Sequence, residues 1–176
     1  MIHQDLVYRG EVYTFEHLSQ STHSFVWTDK TGAVENYQAW VRYSNHCYSQ
    51  SVSADGLADD DVVVENAPLR IFCPIRFNET PRLVKIVADM LAKPTTRVSL
   101  TKEGNCHVFQ LFVNDGAQNR YCVFFNVKMS RVQPVDGNSV YVDFHIESAY
   151  VKDQRVGVVR SLPLGTVVQM TKAGQR

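Results

Sequence analysis

The chain has 176 residues, of which 44% are hydrophobic, and this is enough apolar material for one domain with its own core and no disulfide scaffold. Its 18 Lys and Arg residues equal its 18 Asp and Glu residues in number, which argues against a general nucleic-acid binder with a positive field over its whole surface. The amino terminus lacks the pattern of a signal peptide and no apolar run has the length of a membrane span, so the sequence predicts a cytoplasmic protein with no membrane association.

The first part of the chain is rich in predicted strands. Residues 7–15 and 23–28 cluster aromatic and β-branched side chains, and a turn at 29–32 leads into a long alternating run, so we expect a hairpin. Over 37–47 one strand face carries Tyr37, Ala39, Val41 and Tyr43, and the other carries Gln38, Trp40, Arg42, Ser44 and His46. Residues 50–61 break all periodicity and predict a mobile acidic loop.

One main helix is predicted between residues 80 and 93, because Thr80 suits the N-cap, Pro81 the first helical position and Pro94 the stop. Its apolar stripe consists of Leu83, Val84, Val87 and Leu91. Further strands are predicted at 96–101, 106–113, 120–129 and 139–151, separated by turn-forming clusters at 102–105, 114–116 and 136–138.

These elements predict an α+β fold with a mainly antiparallel sheet in two β-rich parts and the helix packed on a sheet face. We expect residues 1–156 to form this single domain and residues 157–176 to form a carboxy-terminal extension that is partly disordered.

Charge is uneven along the chain. The ionised residues of 50–66 are all acidic, whereas five basic residues beyond Val151 accompany the single acid Asp153. The ordinary interpretation is a solvated loop and a solvated tail. The alternative is a tail that contacts phosphates, or that folds over the acidic loop.

A metal site is not expected. The four cysteines form no Cys-x-x-Cys pair, and the adjacent pairs His46–Cys47 and Cys106–His107 would point to opposite faces of a strand. We therefore expect buried, reduced thiols. The chain also has no Gly-rich phosphate loop, no nucleophile elbow and no His-Glu-x-x-His, so no cofactor is predicted.

The stretch 140–151 carries the most informative pattern. Its strict alternation places Asp143, His145 and Glu147 on one strand face, while the apolar residues between them point toward a core. The ordinary alternative for this polar face is solvation and cross-strand pairing, with Lys128 or Asn126 as partners.

Histidine, carboxylate and arginine side chains on strands suit general acid–base cleavage of a phosphodiester without a metal. His46, His145 and Glu147 are the candidate acids and bases. Arg42 and Arg76 are candidate phosphate ligands, and Trp40, on the same strand face as Arg42, is a third substrate-binding candidate. The alternatives are that His46 bonds a turn carbonyl and that Arg76 pairs with Glu79.

The carboxy-terminal half, from the helix at 80 to His145-Ile146-Glu147-Ser148-Ala149-Tyr150, resembles the small metal-independent RNase toxins of the barnase, EndoU, colicin and RelE-like group. The resemblance implies an RNA site lined by a Ser or Thr and an aromatic residue near the last strand, together with a histidine from an earlier strand. Ser148 and Tyr150 would take the last-strand positions and His46 the earlier one. It further implies RNA as substrate and an antitoxin or target as protein partner.

The alternation itself raises a question about this site. Ser148 and Tyr150 have the same parity as Phe144 and Ile146, so they would face the core unless a β-bulge near Ser148 resets the register. Without a bulge, Asp143, His145 and Glu147 are the better candidates.

A non-enzymatic function is the rival hypothesis. The protein would then be a binding module, a regulator or inhibitor that uses its acidic loop or its exposed aromatic residues, among them Trp27, Tyr37, Trp40 and Tyr48.

Overall fold

The computed structural model describes residues 3–53, 56–102, 106–112, 119–132, 139–153 and 156–175. The strands before the main helix are β1 (Leu6–Tyr8), β2 (Glu11–Tyr13), β3 (Ser21–Thr28), β4 (Val34–Tyr43), β5 (Ser49–Ser51), β6 (Val63–Asn66) and β7 (Leu69–Phe72). The helices α1 (Pro74–Asn78) and α2 (Thr80–Ala92) follow. The remaining elements are β8 (Arg97–Thr101), β9 (His107–Phe112), β10 (Arg120–Met129), β11 (Ser139–Lys152), β12 (Val158–Pro163) and α3 (Leu164–Lys172).

A seven-stranded sheet with the order β12-β8-β9-β10-β11-β4-β3 dominates the fold. Its neighbours pair antiparallel except β4 and β11, which pair parallel. A three-stranded sheet, β5-β7-β6, and the pair β1-β2 complete the described strands. The predicted α+β fold with a mainly antiparallel sheet and one main helix is confirmed. Within the large sheet, the parallel pair of β4 and β11 joins the hairpin of β3 and β4 to the strands that follow α2.

The core lies between one face of the large sheet and the helices. Ala39 and Val41 of β4 and Phe144 of β11 cluster there with Leu83, Val87 and Leu91 of α2, and with Leu164 and Val168 of α3. The predicted stripe of α2 is therefore the buried one, with Val84 partly buried at its edge. Helices thus cover one face of the sheet, and we call the opposite face of β4, β10 and β11 the open face.

Turn chemistry accounts for the hairpin of β3 and β4. Asp29 Oδ1 accepts hydrogen bonds from the hydroxyl and the backbone N–H of Thr31 and from the N–H of Ala33, and Gly32 has a φ of 86°, which favours glycine. Bonds from the Thr31 hydroxyl and from Gln169 are the main reason why the pKa of Asp29 falls to about 2. This turn is where the sequence predicts it.

The strands β8, β9, β10 and β11 form the predicted antiparallel meander, since each pairs with the next. The turn-forming clusters at 114–116 and 136–138, and all but Lys102 of the cluster at 102–105, lie outside the described residues. These strands lie where the sequence alternates between apolar and polar residues, because burial of one sheet face requires that alternation.

The carboxy-terminal segment belongs to the domain and is not an extension of it. Strand β12 pairs with β8, with Leu162 opposite Val98. Leu164 and Gly165 then donate backbone hydrogen bonds to the carbonyls of Thr96 and Pro94, which fixes the start of α3. The boundary predicted at 156 and 157 therefore falls between two strands of one sheet.

The acidic loop and the basic tail make separate ion pairs in the described part of the chain. Asp60 of the loop accepts from Arg9 at 2.6 Å, and Lys172 of the tail donates to Glu35. Asp55, Arg155 and Arg176 lie outside the described residues. Among the described residues, no helix is long and apolar enough to span a membrane.

Candidate functional site

The open face collects most of the predicted site residues on neighbouring strands. Because β4 and β11 run parallel in this register, Trp40 lies opposite Asp143 and Arg42 lies opposite His145. Strand β10 adds Asn126 on the other side of His145. Burial alternates accordingly, with Phe144 and Ile146 buried and His145 half-buried. His145 therefore stands in the middle of a three-strand polar surface.

A β-bulge at Glu147 changes the direction of the last residues of β11. Phe125 pairs with Ile146 and Phe124 pairs with Ser148, so Glu147 is the extra residue on β11. The buried positions shift from Ile146 to Ala149 as a result. Ser148 and Tyr150 thereby lie on the open face with His145, which is the arrangement that the resemblance requires.

Glu147 is held beside His145. Its Oε1 accepts a hydrogen bond from Asn126 Nδ2 at 2.8 Å, and its Oε2 lies 3.9 Å from His145 Nε2. The predicted cross-strand pairing of Asn126 with this polar face therefore exists. Glu147 thus contacts Asn126 directly and lies next to the His145 ring. Arg42 Nη2 lies 3.4 Å from Asp143 Oδ2, so this arginine also has an acidic neighbour.

His46 lies on a 3₁₀ turn, Asn45–Cys47, directly after β4. Ser44 caps this turn, because its Oγ accepts from the N–H of His46 at 3.0 Å. The same Oγ donates to the carbonyl oxygen of Glu147 at 2.6 Å. One buried serine thus joins the His46 turn to the bulge of β11.

A carboxylate orients the His46 ring. Glu65 Oε2, from β6, lies 3.1 Å from His46 Nε2 and accepts from Asn45 Nδ2 at 3.2 Å. A histidine held by a carboxylate is a common arrangement in acid–base catalysis, since the partner fixes the orientation of the ring. His46 therefore bonds a side chain, in contrast to the predicted alternative of a turn carbonyl.

Arg76 of α1 connects the His46 turn to Tyr150. Its Nη1 donates to the carbonyl oxygens of Ser49 at 2.7 Å and His46 at 3.3 Å, and its guanidinium lies over the Tyr150 ring, 4.7 Å from the centroid. The tyrosine ring also stacks against Phe124 with a centroid distance of 5.5 Å. The acid near this helix, Glu79, pairs with Arg82. The predicted alternative of an Arg76–Glu79 pair is therefore not what these residues form.

The cysteine next to His46 has no nucleophilic role in this arrangement. Cys47 is fully buried, and burial raises the pKa of its thiol to about 12, so it stays protonated at neutral pH. The four cysteines form no disulfide bonds. In the described ranges no group of three or more His, Cys, Asp or Glu side chains could hold a metal ion.

The predicted residues thus fall into two connected groups. His145, Glu147 and Arg42 lie side by side, and His46, Arg76 and Tyr150 are linked through backbone and ring contacts, with Ser148 on β11 between the groups. Trp40 lies two residues before Arg42 on β4, and its ring centroid is 5.6 Å from that of Tyr141.

Sequence reasoning missed the supporting residues Glu65 and Ser44. Glu65 appears in the sequence only as one acid of an acidic region, and no local signal shows that β6 comes beside the His46 turn. Ser44 had a usable signal, because serine immediately before a turn of Asn and His is a typical N-cap.

Comparison with known proteins gives a family but no named relative. No curated protein and no solved structure matches this chain. A family model does match it, over residues 5–170, which include every strand and helix that carries the candidate site. The chain therefore belongs to the YjaZ family.

Proposed function

We propose that this protein is a metal-independent endoribonuclease of toxin type, which binds single-stranded RNA on the open face and cleaves it by general acid–base chemistry. The observation that carries the proposal is the bulge at Glu147, because it brings His145, Ser148 and Tyr150 to one surface. In the proposal the protein acts in the cytoplasm and has a protein antitoxin or target as partner.

Binding would rely on aromatic rings and arginines rather than on net charge. Tyr150 and Trp40 are half-buried aromatic residues on strands, the usual position for rings that stack on unpaired bases. Arg76, which is already oriented by two carbonyl oxygens, and Arg42 would contact phosphate oxygens. A neutral chain can bind RNA in this way because stacking on aromatic rings does not depend on net charge.

The chemistry would need two proton transfers. His145, beside Glu147, would take the proton of the ribose 2′-hydroxyl, whose oxygen attacks the phosphorus. His46, held by Glu65, would donate a proton to the departing 5′-oxygen as its bond to phosphorus breaks. Arg76 would stabilise the negative charge on the phosphoryl oxygens. The products would be a 2′,3′-cyclic phosphate and a 5′-hydroxyl.

The experiment is incubation of the purified protein with total tRNA and a structured messenger RNA in EDTA, followed by gel analysis and end-group determination. We expect cleavage with 2′,3′-cyclic phosphate ends, reduced about 100-fold or more in His46→Ala and in His145→Ala. His23→Ala, which changes a histidine of β3 whose ring bonds Ser21 Oγ, is the matched control and should cleave normally. Intact RNA at high protein concentration would contradict the proposal, as would full activity in both variants.

A protein-binding module is the second candidate, and the aromatic content of the open face favours it. Trp40, Tyr141, Phe124 and Tyr150 lie on this face, while the helices pack on the other one. Aromatic side chains provide much of the binding energy at protein interfaces. If RNA stays intact and a protein partner that co-purifies with the chain is lost on Trp40→Ala, this candidate replaces the first.

A further inference from the structure

A cleft of about 470 Å³ lies at the edge of the core, on the side of the sheet that carries the helices. Its walls are formed by α3, by β12 and by the end of β10 beyond its pairing with β9. Leu162, Val167 and Met170 provide an apolar surface within it. Its volume is in the range of small-molecule sites, and no described residue of β4 or β11 lines it.

Basic and imidazole groups accompany this apolar surface. Arg160 lies opposite Leu100 in the register of β12 and β8, and Leu100 lies opposite His107 of β9, so the three residues form one cross-strand row. The His107 ring stacks on Phe125 of the core, with centroids 5.7 Å apart, which places the row on the helix side. Arg160 and His107 both line the cleft.

The charge of this row is not compensated in the described part of the chain. The lining includes no acidic residue, and Arg160 is exposed with no hydrogen bond or ion pair to a described residue. His107 Nδ1 is buried and also has no partner there. Burial, and to a smaller extent the positive charge of Arg160, lower the pKa of His107. An anion in the cleft would supply the missing opposite charge.

We infer that this cleft binds a small organic anion with an apolar body, whose acidic group contacts Arg160 beside His107 and whose body packs on Leu162, Val167 and Met170. Both parts of the ligand follow from the lining. A bare inorganic anion would leave the apolar wall uncovered, and a neutral apolar molecule would leave Arg160 unpaired. This inference goes beyond the proposed RNase function and does not depend on it.

The test uses the fluorescent sulfonate 1-anilinonaphthalene-8-sulfonate, which has an anionic group on an aromatic body. We expect saturable binding to the intact protein, and a dissociation constant about tenfold weaker in Arg160→Gln, the usual scale for losing one charge-assisted contact. Arg82→Gln is the matched control, since it removes the same charge from α2 outside the cleft and should bind as the unchanged protein does. Met170→Trp, which fills the apolar end, should abolish saturable binding while circular dichroism shows a folded protein.

Competition distinguishes the chemistry of the ligand. Octanoate should displace the probe, whereas octanol and inorganic phosphate at the same concentration should not. Equal affinity in Arg160→Gln and Arg82→Gln would overturn the inference, and so would displacement by octanol or phosphate in place of octanoate. None of these readouts uses RNA, so failure here leaves the RNase proposal untouched, and failure of RNA cleavage leaves this one untouched.

Discussion

Tyr150 makes its described contacts through its aromatic ring. Its ring contacts the Arg76 guanidinium and the Phe124 ring, and Lys152 Nζ lies 5.9 Å from its centroid. Cations over an aromatic face are attracted by the ring quadrupole, so Tyr150 holds Arg76 in place through its ring and not through its hydroxyl. The ring and the hydroxyl can therefore be tested separately.

We predict that Tyr150→Leu weakens binding of a short single-stranded RNA about tenfold, because it removes a stacking surface and frees Arg76. Tyr150→Phe keeps the ring and should bind within about twofold of the unchanged protein. Fluorescence anisotropy of labelled RNA measures both. Equal losses in the two variants would show that the hydroxyl, and not the ring, contacts RNA.

Single residues were predictable from the sequence where their chemistry is local. Strand alternation correctly separated His145 from Phe144 and Ile146, because a buried face admits only one register. The partner of His46 was not predictable, because Glu65 reaches it from a separate small sheet. Acid–base candidates can thus be named from a strand pattern, but the groups that orient them depend on tertiary packing.

At the scale of elements, α3 packs against β3 through a glycine. A Cβ placed on Gly165 would lie 2.2 Å from Cδ2 of the Trp27 ring, which is too close for any real side chain. Trp27 therefore uses the bare backbone of the first turn of α3 as its packing surface. The glycine is required here by close approach and not by an unusual backbone angle.

We predict that Gly165→Ala lowers the free energy of unfolding by about 2 kcal/mol, the usual range for overpacking a core. Gly157→Ala is the control, since the atoms its Cβ would meet belong to the flexible side chain of Lys102. Its effect should stay below about 0.5 kcal/mol. Urea denaturation followed by Trp fluorescence measures both, and equal stability of Gly165→Ala and the unchanged protein would refute the packing role.

The sequence predicts helix α2 but not helix α3, and the difference in their local helix preference accounts for both outcomes. Helix α2 has a proline at its start, good helix formers and a regular stripe, so its local preference agrees with the fold. Helix α3 contains Gly165, Thr166, Val167 and Val168 in succession, which are poor helix formers. Burial of Leu164 and Val168 against the sheet stabilises it, and that burial cannot be seen in the segment itself.

Several histidines take up a proton more readily in the unfolded chain than in the folded protein. Burial is the largest cause that lowers the pKa of His3, His17, His23 and His107 from the ordinary 6.5. The folded protein therefore binds fewer protons than the unfolded chain near and below this pH. Stability from these groups is complete above 6.5 and is lost as the pH falls through the folded pKa values.

We predict that the urea midpoint falls between about pH 7.5 and about pH 5.5, a window in which most carboxylates remain ionised. The double variant His17→Gln with His23→Gln should show a smaller fall, because two of the responsible groups are gone. Equilibrium denaturation at both pH values provides the measurement. A midpoint that stays constant or rises on acidification would contradict the assignment.

The overall class was predictable, whereas the joining of the sheet was not. Alternating runs and turn residues indicate strands and hairpins along the chain, and they gave the meander β8 to β11 correctly. The parallel pairing of Ser139 with Asn36 connects segments about a hundred residues apart, and no turn signal marks such a contact. The site depends on this pairing, since it brings Arg42 beside His145.

The same parallel pair has a consequence for the order in which the chain can fold. Strand β4 has β3 as a local partner, but its other edge pairs with β11, which lies about a hundred residues later in the chain. Closing so long a loop is entropically costly and slow, so the amino-terminal hairpin has to wait during synthesis with an unpaired edge. A site built on this pair of strands cannot assemble on the ribosome until β11 has emerged.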